Sequence, residues 1–282
     1  MPGIALVTPS LNQGRFLTEA LRSVLDQDVD DIEYVVADGG STDGSIDIVR
    51  RHADRLTAWW SEPDAGHADA VNKGFARTRG EIMGWLNSDD RLLPRALEVV
   101  RELFTRFPEV QWLTSGSPVM LDESGRAVRV GRTSGFAREP YLLGLNGLRP
   151  WSRQYFVQQE STFWRRGLWD AAGSALDTSF EPAADFELWR RFFDHAELWT
   201  VDTVLGAFRV HGGQRTASQL DAYHEQALRA LPASSSRTLL AARAVSRLPT
   251  GVRRRTGVGW SAPVISWSRT THDWQTMRRP IA

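Results

Sequence analysis

There is no cysteine anywhere in this chain of 282 residues, so disulfides and thiolate metal sites are both excluded, and the composition suits a reducing compartment. Net charge is absent too. With 34 basic and 34 acidic side chains, a nucleic-acid-binding surface is disfavoured unless the charge is segregated along the chain. Long hydrophobic runs are missing: the longest uncharged stretch toward the C-terminal end, residues 256–268, is broken by Ser and Pro and falls short of the ~20 apolar residues that span a bilayer. The opening Met-Pro-Gly-Ile-Ala-Leu-Val lacks the basic start and cleavage site of a signal peptide and reads as a first strand. Neither Gly-x-x-x-x-Gly-Lys-Ser/Thr nor Gly-x-Gly-x-x-Gly occurs, so ordinary NTPase and dinucleotide readings lose their main support. What is present is 41% hydrophobic content, enough for a substantial core in one large soluble domain or one and a half ordinary ones.

The apolar pattern alternates between strand-length runs and helical spacing. Ile4–Val7 is a short strand, and Phe16, Leu17, Ala20, Leu21, Val24 and Leu25 then recur on one helical face. Three further strands, Ile32–Ala37, Leu56–Trp60 and Ile82–Leu86, each precede or follow such a helix. Four strands alternating with helices in about ninety residues predict a mostly parallel α/β sheet with right-handed crossovers. Ligands bind such sheets beyond the carboxyl ends of the strands. Each strand here carries a polar cluster at that end: Thr8-Pro9-Ser10-Leu11-Asn12, Asp38-Gly-Gly-Ser41, Glu62-Pro-Asp64-Ala-Gly66, and Asn87-Ser-Asp89-Asp90.

The fourth cluster is an expensive place for two carboxylates. Adjacent acids raise each other's pKa unless a cation or donors hold them ionised, and oxygen ligands of this kind suit Mg²⁺ or Mn²⁺ with phosphate oxygens completing the shell. The same residues also read as a solvated turn capping the next helix, with Pro94 just inside it. Asp38 is an acceptor fit for a ribose hydroxyl or a base N–H, and Gly39, Gly40, Gly44 and Gly66 let backbone approach a ligand or form tight turns. An N-cap and turn would use the same Ser, Thr and Asp residues.

Four pieces in order, Val7-Thr-Pro-Ser-Leu-Asn12, Asp38-Gly-Gly-Ser-Thr-Asp-Gly-Ser45, Glu62-Pro-Asp-Ala-Gly66 with Asp69-Ala-Val-Asn-Lys-Gly74, and Gly84-Trp-Leu-Asn-Ser-Asp-Asp90, resemble a family 2 glycosyltransferase of the GT-A fold. The resemblance implies a Rossmann-like, mostly parallel sheet flanked by helices, with a nucleotide-sugar-binding half over residues 1–115 and an acceptor-side half over 116–228. It further implies donor contacts from Thr8, Pro9, Ser10, Asn12, Asp38, Asp64, Gly66, Asn72 and Asp89, with Asp90 as the ligand of a divalent cation, Mg or Mn. Asn87 stands where many members have Asp, so the division of labour between Asp89 and Asp90 is open.

Past residue 95, a helix leads to a hairpin signal in which Val119–Leu121 and Val128–Val130 flank Asp122-Glu-Ser-Gly-Arg126. Residues 157–164 alternate enough for a strand, and Phe186, Trp189, Phe192 and Phe193 form one helical face. The resemblance places Gln159 and Glu160 on the acceptor side with Glu187, and makes Asp185 the general base that takes a proton from the acceptor hydroxyl in an inverting transfer. By residue type alone, Asp185 is equally a helix-start acid favoured by the macrodipole, with Glu187 the other candidate base. His211 and Arg215 flank glycines and are chemically able to reach a diphosphate. Trp151 and Trp164 are candidate sugar-stacking faces.

The tail, residues 229–282, carries ten arginines against a single acid, Asp273. Leu239, Leu240, Ala244 and Leu248 alternate with Arg243 and Arg247, which reads as a basic amphipathic helical tail for an anionic leaflet, or as a subunit contact. The expected protein is a metal-dependent glycosyltransferase in the cytoplasm, peripheral on the inner face of the membrane. Its partners would be a nucleotide-sugar donor and a saccharide or lipid-linked saccharide acceptor, with no nucleic acid. A non-catalytic nucleotide- or carbohydrate-binding protein and a nucleotidyltransferase on a similar sheet are the alternatives.

Overall fold

The computed structural model describes residues 1–152, 156–256 and 258–281, and for residues 215–217, 250 and 254 only the backbone. The first half alternates as the periodicity predicts: β1 (Ile4–Ser10), α1 (Gly14–Leu25), β2 (Ile32–Asp38), α2 (Ser45–Arg51), β3 (Ala58–Ser61), α3 (His67–Phe75), β4 (Ile82–Trp85), β5 (Arg91–Leu92) and α4 (Ala96–Arg106). Then come β6 (Trp112–Ser115), β7 (Val119–Leu121), β8 (Ala127–Val130), α5 (Arg138–Leu142), β9 (Thr162–Arg165), α6 (Arg166–Ala171) and α7 (Ala184–Phe192). The last elements are β10 (Leu198–Val201), β11 (Gly206–Arg209), α8 (Arg215–Ala230), α9 (Ser236–Arg247), α10 (Thr250–Thr256), β12 (Trp260–Ser268) and β13 (Asp273–Ile281).

Nine strands form the central sheet in the order β13-β12-β10-β6-β9-β4-β1-β2-β3, and β5-β11-β7-β8 form a smaller one. The pairs β1–β2, β1–β4, β2–β3, β6–β10 and β10–β12 are parallel, whereas β9 runs antiparallel between β4 and β6. Side chains alternate across this sheet with period two, and both faces are buried. Ile4, Leu6, Ile82 and Leu86 pack with Leu17, Leu21 and Val100 on one side, while Val7, Met83 and Trp85 pack with Val71, Leu188 and Trp189 on the other. The GT-A-type arrangement follows, with helices on both faces and all strand ends of the first half opening on one edge.

Several expectations are corrected. The third strand begins at Ala58, and the expected strand over 157–164 is split: Gln159–Ser161 form a 3₁₀ turn and only Thr162–Arg165 pair with the sheet. Trp164 offers no face to a sugar, because it is fully buried among Trp85, Trp189 and Phe75 with ring centroids 5.5, 5.5 and 5.8 Å away. Trp151 is half-buried with the Arg243 guanidinium 5.9 Å from its ring.

The basic tail is not purely helical. After α9 and α10 it returns as a hairpin, and β12 joins the central sheet parallel to β10. The uncharged run that is too short for a bilayer is therefore an inner strand, with Ala262, Val264 and Ile265 fully buried. Its hairpin partner, β13, is tied to the main domain by ion pairs: Arg278 with Glu197 at 2.8 Å, Arg279 with Asp202 at 2.5 Å, and, with the signs reversed, Asp273 with Arg106. Part of the tail's positive charge is thus neutralised within the fold.

Candidate active site

The four polar clusters meet along the carboxyl edge and are tied together by hydrogen bonds. Asn12, at positive φ, donates its N–H to Ser41 Oγ at 2.8 Å and accepts from the Thr42 N–H at 2.8 Å, joining the first loop to the second. Asp38 joins the second to the third. Its buried carboxylate accepts from the Gly40 and Ser41 N–H groups at 3.1 and 2.8 Å, and from the Ser41 and Ser61 hydroxyls at 2.5 and 2.7 Å. The third loop turns at Gly66, whose φ of 119° favours glycine, and Asp64 Oδ1 accepts the Gly66 N–H at 2.9 Å. His67 then reaches the fourth loop, its Nε2 lying 2.8 Å from Asn87 Oδ1. Asn87 in turn donates from Nδ2 to Asp90 Oδ2 at 3.3 Å.

The C-terminal half closes the belt. Strand β11 delivers Arg209, only 1% exposed, beneath the Asp89-Asp90 loop. Its main-chain N–H donates to Asp90 Oδ1 at 2.8 Å, its Nε to the Asp89 carbonyl at 2.7 Å, and its remaining nitrogens to the Glu123 carbonyl at 3.2 Å and Glu19 Oε2 at 2.5 Å. Two residues on, His211 Nε2 lies 3.0 Å from Asp89 Oδ2. The Gly213 N–H donates to Nδ1 at 3.3 Å, which leaves the Nε2 proton facing Asp89 in the neutral ring. The same strand positions Glu160: the Gly206 N–H donates to Ser161 Oγ at 3.1 Å, and a Cβ at Gly206 would collide with the Glu160 carbonyl.

Asp89, Asp90, Glu160 and Asp185 are linked by charge: Asp90 feels Asp89 and Glu160, and Glu160 feels Asp89 and Asp185. Burial pushes the Asp90 carboxyl well above the usual range, with the charges of Asp89 and Glu160 adding to it. Glu160 is 3% exposed and is raised to about 8, first by burial and then by Asp185 and Asp89. Among the described residues its Oε1 has no hydrogen-bond partner. Asp185, at the first turn of α7, is raised to about 6 by burial, against the opposing pull of its hydrogen bonds from the Phe186 N–H at 2.7 Å and from Tyr223. A carboxylate with such a pKa titrates close to neutral pH and is suited to accept a proton. Among the described residues, no three His, Asp or Glu side chains gather closely enough to hold a metal by themselves.

Other expected site residues are placed elsewhere. Thr8 is fully buried with its hydroxyl 2.8 Å from that of Tyr34, and Pro9 is buried in β1. Asn72 clamps the Leu176 backbone, donating at 2.9 Å and accepting at 2.7 Å, which occupies its amide away from the edge. Glu187 is buried in a two-pronged pair with Arg191, whose guanidinium also holds the Ala172 and Ala175 carbonyls. Through this pair it braces α7. Gln159 is buried, donating to the Trp85 carbonyl at 2.6 Å. The side chain of Arg215 lies outside the described residues. Sequence reasoning missed Arg209, His67 with Asn87 as a linked pair, and Tyr223, because nothing local marks side chains whose partners lie 119, 20 and 38 positions away.

The sequence model described as "Glycosyl transferase family 2" matches residues 5–143, the segment that supplies all four loops. A putative teichuronic acid biosynthesis glycosyltransferase of Bacillus subtilis is 33% identical over 100 residues, 34% of this chain and 40% of that protein. The chain spans only 32–40% of the length of the curated relatives it matches at about one-third identity. Among solved structures, S. aureus TarS in complex with UDP-GlcNAc superposes with a TM-score of 0.61 at 18% identity, covering 86% of this chain and 72% of that one. A mannosyltransferase from Pyrobaculum calidifontis, solved with GDP-Man and Mn²⁺, gives 0.56 at 20% identity, covering 91% and 79%. At these identities the superpositions establish the fold. The family is carried by the matched segment: residues 5–143, with their four motif-bearing loops, are glycosyl transferase family 2 sequence.

Proposed function

We propose that this chain transfers a sugar, with inversion, from a nucleotide-sugar donor to a hydroxyl of a saccharide or lipid-linked saccharide. The observation that carries this reading is the buried Glu160, which feels the charges of both Asp89 of the acidic loop and the half-buried Asp185, itself raised to about 6. The relatives' donors, UDP-GlcNAc and GDP-Man, support a nucleotide sugar as the substrate class.

The residues fit a divalent cation. Among the described residues, Glu160 Oε1 is a buried carboxylate oxygen without a partner, and neither Asp90 nor Glu160 pairs with a cationic side chain. A cation would offset this charge excess, and the all-oxygen donor set suits Mg²⁺ or Mn²⁺. Asp90, with Asp89 beside it, would hold the cation. When bound, it would supply charge neutralisation for the departing nucleoside diphosphate.

The chain's own residues account for the rest. Asp38, Ser41 and Ser61 shape the loop that receives the base and ribose, and at the same edge Ser10 has a buried hydroxyl with no partner among the described residues. Arg209 fixes the height of the Asp89-Asp90 loop. Asp185 takes the proton from the acceptor hydroxyl as its oxygen bonds to the anomeric carbon, while the bond to the diphosphate oxygen breaks and that oxygen keeps the electron pair. The test is transfer or donor hydrolysis across a panel of nucleotide sugars with and without Mn²⁺, alongside Asp185→Asn. Loss of turnover in the variant with retained donor binding supports the assignment, and full turnover in the variant overturns it.

A second surface carries a weaker proposal, binding to an anionic membrane. On α9, Arg237, Leu240, Ala241, Ala244 and Arg247 share one exposed face, with Leu240 64% exposed, and Arg255 on α10 is exposed as well. No helix among the described residues is long and apolar enough to cross a membrane.

A further inference from the structure

The carboxylate of Asp185 is held from outside its own helix. Tyr223 on α8 faces Asp185, and its hydroxyl favours the ionised carboxyl. One turn along the same face, Gln226 accepts from the Ala183 N–H at 3.3 Å and donates to the Glu181 carbonyl at 2.6 Å. One turn further, Arg229 donates to the Ser179 carbonyl at 2.8 Å and lies 4.4 Å from the Phe180 ring centroid. Positions three apart fall on one side of a helix, so α8 grips successive points of the segment 179–185 that leads into α7. The phenol of Tyr223 is itself seated edge-on against Phe156, with centroids 5.6 Å apart. The start of α8 follows directly on the His211–Gln214 turn that holds Asp89, so one stretch of chain touches both the donor-side carboxylates and the base.

We propose that Tyr223 is a positioning residue for the transfer, its hydroxyl fixing the orientation of the Asp185 carboxylate while Gln226 and Arg229 fix the backbone that carries it. The proposal rests on the reading of Asp185 as the base. Its own backbone neighbour, the Phe186 N–H, engages only Oδ1. A second group from a different element restricts the remaining torsion, and a base displaced by about 1 Å loses on the order of 10²-fold in rate. The titratable groups facing Asp185 are Glu160 from the 3₁₀ turn, Tyr141 from α5 and Tyr223 from α8. Of these, Tyr223 is the one that favours the ionised form.

The experiment compares the full chain with Tyr223→Phe and Asp185→Asn, using UDP-GlcNAc and GDP-mannose as probes. The Asp185 carboxyl is followed by ¹³C NMR through a pH titration. The Phe variant should fold, bind UDP or GDP as the parent does, lose roughly 10- to 100-fold in kcat, and titrate Asp185 at a higher pH than the parent. Gln226→Ala should lose kcat without moving that titration, since it acts on the backbone. An unchanged Asp185 titration and kcat in Tyr223→Phe overturns the positioning role while Asp185→Asn still tests the base. A loss of kcat accompanied by loss of nucleotide binding also overturns it. Full turnover in Asp185→Asn instead removes the base reading on which the proposal stands.

Discussion

The main-chain N–H of Arg209 donates to Oδ1 of Asp90 at 2.8 Å, although the two residues are 119 positions apart in sequence. With Nε of the same residue on the Asp89 carbonyl, one buried arginine fixes both the backbone and a carboxylate oxygen of the acidic loop. Arg209→Lys keeps the charge but not the planar fork that reaches Asp89, Glu123 and Glu19 together. It should cost about 1–3 kcal/mol by urea denaturation and weaken donor binding. A variant within about 0.5 kcal/mol of the parent, with donor affinity intact, would show that only the main chain of Arg209 matters.

Asp90→Asn removes a buried charge that burial and neighbouring acids already disfavour. The fold should therefore be as stable as the parent or more so, while Mn²⁺-dependent donor binding and transfer are lost. Thermal melts and calorimetric titration with nucleotide in Mn²⁺ and in chelator separate the two effects. Full activity in excess chelator contradicts the metal assignment.

The raised carboxyls set the pH behaviour. Asp185 moves from 3.8 to about 6 and Glu160 from 4.5 to about 8 on folding, so the folded state binds more protons than the unfolded state across that span. Stability contributed by these groups is complete at low pH and is lost as pH rises through about 4 to 8. Turnover should run the other way at first, rising through an acid limb near pH 6 as Asp185 ionises. Denaturation at pH 5 and pH 8 checks the first statement, and a pH profile of kcat the second.

Asp185→Asn should lower kcat by the ~10²–10⁴ typical of a missing general base, with donor affinity nearly constant. Glu187→Gln should do the opposite. It breaks the buried pair with Arg191 and costs roughly 1–3 kcal/mol of stability with little change in kcat. The reverse pattern would make Glu187 the base.

Because Arg278 and Arg279 are paired within the fold, deleting the whole tail would strip an inner strand from the central sheet. The cleaner test of membrane association reverses Arg237, Arg247 and Arg255 to Glu. At about 1 kcal/mol per basic residue, binding to phosphatidylserine-containing vesicles should fall by on the order of 100-fold or more, and added salt should weaken the parent in the same direction. Unchanged vesicle binding assigns the face to another partner.

Much of the first half is determined by local pattern. Apolar runs such as Ile32–Ala37 end in Asp, Gly and Ser because a parallel sheet buries its strands and opens its loops at the carboxyl edge, and both facts are written within a few residues. The strand assignments of β1, β2 and β4 and the placement of Asp38, Asp89 and Asp90 at that edge follow from this alone. Tertiary structure decided whatever depends on partners distant in the chain. Glu187 and Asp185 lie two residues apart at one helix start, and only the position of Arg191, which pairs with Glu187 and holds the Ala172 and Ala175 carbonyls, and of Tyr223 near Asp185 gives the two carboxylates different surroundings. Asn72 sits in a motif yet spends its amide on Leu176. The run 260–268 gains its strand character from the exposed edge of β10, because a strand's backbone groups are satisfied by a neighbour that the local sequence does not contain.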